Sequence, residues 1–177
     1  MMIPQAPKLE KTLEQRLAEV RLLVMEMEGV LTDGSIYTDS QGRVSIRTRR
    51  VDELGLAFWR QQGNLVLVLA RQGFEPARAW ASAADLELCT YQGNKDLALQ
   101  TTALELGILP NQVCYLGCDL DDLPAMSLVG LAAATADADP WAKGAAHLVL
   151  RHSCGAGAVR ELVDTILNER LPTGHQE

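Results

Sequence analysis

Two acidic clusters stand where an enzyme would keep reactive groups. Glu26-Met27-Glu28-Gly29 closes the apolar run that begins at Arg21, and Cys118-Asp119-Leu120-Asp121-Asp122 follows the apolar run Val113–Gly117. Residues two apart in an extended segment share a side, so Glu26 and Glu28 project together. Carboxylates held side by side repel unless a proton or a cation lies among them, and an oxygen-rich set suits Mg²⁺. The same acids also make helix caps: Asp119 precedes Leu120–Leu128 and can accept from its first amides. Spacing alone leaves both readings open for 119–122. Arg71, which closes Leu69-Ala70-Arg71, is a candidate anion ligand or an ion-paired surface residue. The four cysteines, Cys89, Cys114, Cys118 and Cys154, form no CxxC pair and no zinc spacing. Three of them lie at or just after apolar runs, where a reduced cysteine acts as a small hydrophobe.

The elements that must position these groups are legible from hydrophobic period. Leu9, Leu13, Leu17 and Val20 recur at helical spacing. Two β-like runs around Asp39-Ser40-Gln41-Gly42 predict a hairpin at 34–48. Asp52–Gln62 has helical spacing ended by Gly63. Apolar strands then alternate with helices: strand Asn64–Ala70, helix Pro76–Ala84, strand Leu86–Thr90, helix Lys95–Leu106, strand Val113–Gly117, helix Leu120–Leu128, strand Leu131–Ala134, helix Pro140–Ala145, strand His147–Leu150 and helix Gly157–Asn168. Strands apolar on both faces, separated by helices, predict an α/β fold with a parallel sheet covered on both sides. Ligands of such sheets lie at the carboxyl ends of the strands, where both acidic clusters fall.

The chain has 177 residues and a formal net charge of −7, which argues against nucleic acid as a partner. Its length predicts one domain, 21–171, after an N-terminal extension or helix at 1–20 and before a C-terminal tail at 172–177. The longest apolar run, Leu65–Ala70, is too short to span a bilayer, and cysteines without a disulfide pattern point to a reducing cytoplasm.

The stretches EGVLTDGSIY (Glu28–Tyr37), VDELG (Val51–Gly55), YQGNKD (Tyr91–Asp96), YLGCDLDDLPAM (Tyr115–Met126), VGLAAATADADP (Val129–Pro140) and GAGAVRE (Gly155–Glu161) carry a resemblance. They resemble a capless branch of the haloacid dehalogenase (HAD) superfamily, that of 3-deoxy-manno-octulosonate 8-phosphate phosphatase and of the C-terminal domain of some acylneuraminate cytidylyltransferases. The resemblance implies a Rossmann-like three-layer sheet with a β-hairpin insertion after the first strand and no large cap. It also implies a Mg²⁺-dependent phosphatase ancestry and a homotetramer built through the hairpin, where Ile36, Tyr37, Val44 and Ile46 form an apolar patch.

Against the motifs of that family the reactive positions are substituted. Glu26 stands at the nucleophile and Glu28 at the general acid, both aspartates in the family. Leu69 stands where a threonine holds the phosphoryl group, Leu97 aligns with the clamp lysine, and Cys118 replaces the Mg²⁺-binding aspartate, with Asp119 following. The metal set would be Glu26, Glu28 and Asp119. Arg71 and Arg160, the latter in the tail motif, remain as substrate-binding candidates. These departures imply a catalytically degenerate homologue with weak or absent Mg²⁺ binding. Such a protein acts by assembly, or by binding a sugar-acid phosphate or a cytidylyltransferase-type partner. The alternative is an active Mg²⁺-dependent phosphatase on 3-deoxy-manno-octulosonate 8-phosphate or a nine-carbon sugar-acid phosphate.

Overall fold

The structure is a computed structural model and describes residues 11–170. Residues 1–10 of the expected extension, Leu9 among them, and the tail 172–177 lie outside the described residues. Helix α1 (Leu13–Glu19) starts four residues after Leu9 because Thr12 caps it. The Thr12 hydroxyl accepts from the Gln15 amide at 3.3 Å, and the Gln15 side chain accepts from the Thr12 amide at 3.0 Å.

Six parallel strands form the main sheet in the order β5 (Glu87–Tyr91), β4 (Leu65–Arg71), β1 (Leu22–Glu26), β6 (Val113–Gly117), β7 (Leu131–Ala134) and β8 (Leu148–Val149). β1 lies in the middle and is buried along its whole length. Its side chains alternate: Leu23 and Met25 join one core, Leu22 and Val24 the other. The first core is closed by α1, α2 (Arg50–Gln61), α3 (Glu75–Ala83) and α7 (Ala158–Arg170). The second is closed by α4 (Lys95–Glu105), α5 (Leu123–Met126) and α6 (Pro140–Ala145). The chain runs from β1 to β4 and β5, then crosses back to β6 on the other side of β1. This reversal opens a crevice at the carboxyl ends of β1 and β6, where ligands of doubly wound sheets bind.

Two local departures from expectation matter for the site. The segment expected as one helix at Leu120–Leu128 begins as a 3₁₀ turn, Leu120–Asp122, before α5. The Asp119 carboxylate accepts from the Leu120 amide at 2.6 Å, and Asp122 folds back on the amides of Cys118 and Asp119, which tightens the first turn. Strand β5 also extends one residue further than expected and so includes Tyr91.

The hairpin consists of β2 (Tyr37–Thr38) and β3 (Val44–Ser45). Ile36, Tyr37 and Val44 are exposed at 59, 52 and 43%. Ile46 departs from the expected patch: it turns inward and packs on the first core.

Candidate functional site

Glu26 ends β1 and is only 6% exposed. One of its oxygens accepts from the Tyr91 hydroxyl in a very short bond, and the other from Lys95 Nζ at 2.7 Å. Lys95 opens α4, and its ammonium also contacts Asp122 at 2.8 Å and Asp121 at 2.9 Å. Asp122 is buried and fully engaged. Oδ1 also accepts from the Tyr115 hydroxyl at 2.7 Å, while Oδ2 accepts from the Cys118 amide at 2.7 Å and the Asp119 amide at 3.0 Å.

The electrostatics follow from burial and pairing. Burial pushes the Glu26 carboxyl up, although Lys95 and Tyr91 oppose the rise. For Asp122 burial acts the same way but loses to Lys95 and the two amides, so its carboxyl falls below the usual range. Burial of Lys95 works against its charge, and Asp122 and Glu26 overcome it, so the ammonium is held charged. Tyr91 is raised by burial and by the Glu26 carboxylate it serves. The result is a protonated lysine locked between acids from two strand ends.

The other sequence candidates divide. Leu69 pairs in register with Glu26, is fully buried and packs into the second core, so it offers no donor at the strand end. Leu97 does not face the site; it is 61% exposed on α4. The lysine comes from Lys95, two residues earlier, because the α4 N-terminus starts there and its first residue points under the strand ends. The cation expected to be missing is therefore present. Asp119 caps the 3₁₀ turn and lies outside the carboxylate cluster, which consists of Glu26, Asp121 and Asp122. Glu28 lies in the tight turn Met27–Leu31, where Gly29 takes φ +86°, a conformation a side chain resists. Thr32 holds this turn by donating to the Met27 carbonyl at 3.2 Å. Glu28 Oε1 accepts from the Arg71 amide at 3.3 Å, and Oε2 is buried with no hydrogen-bond partner.

Arg71 shares an open cleft with Gln72, Tyr91, Gln92, Gly93 and Asp121. Its guanidinium is held charged by the Tyr91 hydroxyl first and by the acids behind it. Arg160 is not part of this cleft: it lies against Gly55 of α2 and pairs with Asp164 at 2.8 Å. Sequence reasoning missed Tyr91 as a member of the site, aligned the clamp lysine with Leu97 although Lys95 stands two residues earlier, and placed Asp122 in the 118–122 cluster without its part in holding the lysine. The available signals were Tyr91 and Lys95 flanking the α4 start and the three-residue spacing of Asp119 and Asp122.

A doubly wound sheet with acids at the β1 and β6 ends, a buried lysine between them and a hairpin after β1 is the architecture of HAD-type phosphohydrolases. No protein-family model matches the chain. The chain is 36% identical over 155 residues to a 3-deoxy-D-manno-octulosonate 8-phosphate phosphatase (KdsC) from Yersinia pestis, covering 86% of this chain and 82% of that protein. A crystal structure of the Yersinia pestis phosphatase superposes with a TM-score of 0.84 at 34% identity, covering 89% of this chain and 85% of that one. The Moraxella catarrhalis phosphatase, solved in complex with a magnesium ion, a phosphate ion and KDO, gives a TM-score of 0.84 at 25% identity over 88% of this chain and 90% of that one. The chain belongs to the KdsC-like family of the HAD superfamily. No helix among the described residues is long and apolar enough to cross a membrane.

The residues present do not fit the hard divalent ion of the family. Both Glu26 oxygens and both Asp122 oxygens already accept hydrogen bonds, and position 118 offers sulfur. Mg²⁺ requires oxygen ligands in near-octahedral geometry and parts with water reluctantly. The expected outcome is Mg²⁺ binding no better than roughly millimolar. With a Kd of about 5 mM, addition of ~5 mM Mg²⁺ stabilises by only about 0.4 kcal/mol, roughly one degree of melting temperature. A thermal scan that rose by more than about 5 °C with that Mg²⁺, and not with Na⁺, would contradict the misfit.

Proposed function

We propose that this chain binds a sugar-acid phosphate at the crevice beside Arg71 and that phosphoryl transfer there is suppressed. The observation that carries the reading is the state of Glu26. A nucleophilic carboxylate needs a free oxygen in line with phosphorus, near 3 Å. Here both oxygens are held, one by Tyr91 and one by Lys95. The extra methylene of glutamate also displaces the group, and a misplacement of about 1 Å costs roughly 10²-fold. Leu69 adds the loss of a donor, worth about 10²–10³ where such groups have been removed.

Binding is supported by two features. Arg71 is a charged donor at the rim of the cleft, and Gln72 and Gln92 beside it carry amide groups that can donate to and accept from ligand hydroxyls. The experiment is equilibrium dialysis with 3-deoxy-D-manno-octulosonate 8-phosphate, followed by recovery of the ligand. The expected outcome is saturable binding, weakened about tenfold or more by Arg71→Gln through loss of a charge-assisted contact, with the phosphoester intact. No binding, or equal binding by the variant, would contradict the assignment of the cleft.

A second reading, an active phosphatase on the same class of substrate, is favoured by Lys95. Its ammonium sits between the two strand ends, as a phosphoryl clamp requires, and the named relatives are phosphatases.

We also propose assembly through the hairpin as a homotetramer. Support comes from Ile36, Tyr37 and Val44, exposed apolar residues on and beside the hairpin strands, as expected of a surface that a partner covers. Light scattering should report four times the 19.3 kDa of one chain, and Tyr37→Asp should lower that mass. A monomer mass for the wild type in dilute neutral buffer would overturn it.

A further inference from the structure

The fold brings together three metal-ligating groups that are far apart in sequence. Cys118 follows β6, Asp137 lies in the loop after β7, and Cys154 lies between β8 and α7. Their ligand atoms all fall within 4.8 Å of one another. The two sulfurs are 2.9 Å apart, and Asp137 Oδ1 accepts from the Cys154 amide at 2.9 Å. Thr135 Oγ1 lies 3.2 Å from Cys154 Sγ. The backbone around Cys154 is pinned: the Gly155 amide donates to the Val30 carbonyl at 2.9 Å. A Cβ on Gly155 would come within 2.6 Å of the Asp33 amide nitrogen, so this approach requires glycine.

We propose that Cys118, Cys154 and Asp137 form a binding site for a thiophilic divalent ion of the Zn²⁺ class. Soft thiolates select zinc over magnesium, and three protein ligands leave the fourth tetrahedral position open. Asp137 is exposed and Cys118 only partly buried, so the site lies within reach of an ion from solvent. With Zn–S near 2.3 Å, tetrahedral sulfurs stand about 3.8 Å apart, so the pair must part by about 1 Å to admit the ion. Cys118, the less buried of the two, has the room to turn. The substitution that removes the hard ligand at 118 thus completes a soft one with Cys154 and Asp137. Metal binding at this site is read out without turnover.

The test uses the reduced full-length chain and Co²⁺ as the spectroscopic probe, without oxygen. Binding of one Co²⁺ per chain should give a strong near-ultraviolet thiolate charge-transfer band and the visible bands of tetrahedral Co²⁺. Stoichiometric Zn²⁺ should abolish both, while about a hundredfold excess of Mg²⁺ should not. Cys118→Ser should weaken binding by roughly 100-fold or more, a ligand mattering at least as much as its supporting partners. Cys89→Ser should leave binding unchanged. Cys154 is buried, so its serine variant is interpreted only if its circular dichroism matches the wild type; the less buried position 118 carries the test regardless. Three outcomes would overturn the proposal: Co²⁺ bound without a thiolate band, equal binding by Cys118→Ser, or closure of a Cys118–Cys154 disulfide by hydrogen peroxide in a chain that takes up no metal.

Discussion

Replacing Lys95 by methionine should lower the melting temperature by roughly 6–20 °C. The Lys95 side chain is 2% exposed, and its ammonium contacts Glu26, Asp121 and Asp122. Two of these acids are themselves buried, at 8 and 1% side-chain exposure. Removing one member of a buried ionic cluster strands the others, at a cost of about 3–5 kcal/mol, and each kcal/mol corresponds to about 2–4 °C for a chain of this size. Removing the stranded charges as well, with Glu26→Gln and Asp122→Asn in the same chain, should recover part of the loss, because a neutral set no longer carries uncompensated charge. Thermal unfolding followed by circular dichroism measures both. A shift under about 2 °C for Lys95→Met would show that the cluster is hydrated and the lysine free to move.

The largest functional effect should come from restoring the substituted positions together. A chain carrying Glu26→Asp, Glu28→Asp, Leu69→Thr, Ala70→Gly and Cys118→Asp should gain at least about 10³-fold in phosphate release with Mg²⁺. The shorter acid at 26 withdraws from Tyr91 and frees an oxygen. Threonine at 69 returns a donor beside it, since the two positions pair in register. Aspartate at 118 returns a hard ligand. No change at 97 is needed, because Lys95 already supplies the cation. Each single reversion should stay near background, since groups that act as a unit are strongly non-additive. Steady-state release from 3-deoxy-D-manno-octulosonate 8-phosphate is the measurement; full activity from Glu26→Asp alone would refute the need for the set.

The scaffold was readable because its signals are periodic. Buried strands apolar on both faces alternate with amphipathic helices, and each strand predicted from 64 to 150 is present. The positions of Glu26, Leu69 and Cys118 at strand ends followed directly, since strand ends can be counted. Lys95 was misplaced to Leu97 because a motif lysine was matched by residue count across a loop. What fixes the lysine is where α4 begins, and that turns on the geometry of Gly93 and Asn94 rather than on loop length. Asp122 stayed undecided between an acidic cluster and a helix cap, because the sequence predicts a regular helix from Leu120. The 3₁₀ start folds the carboxylate back onto the Cys118 amide. The pairing of Cys118 with Cys154 had no linear signal, since the residues meet only through the order of strands around β1.

If Glu26 is held by Tyr91 and Lys95 as proposed, it does not attack phosphorus. Single-turnover phosphate release, with the wild-type chain in excess over 3-deoxy-D-manno-octulosonate 8-phosphate and Mg²⁺ present, isolates that step from product release. The rate should fall at least about 10⁴-fold below the usual 1–10³ s⁻¹ of working enzymes, to about 0.1 s⁻¹ or less. A single-turnover rate of about 1 s⁻¹ or faster, abolished by Glu26→Gln, would show that the carboxylate is released on substrate binding and that the chain is an active phosphatase.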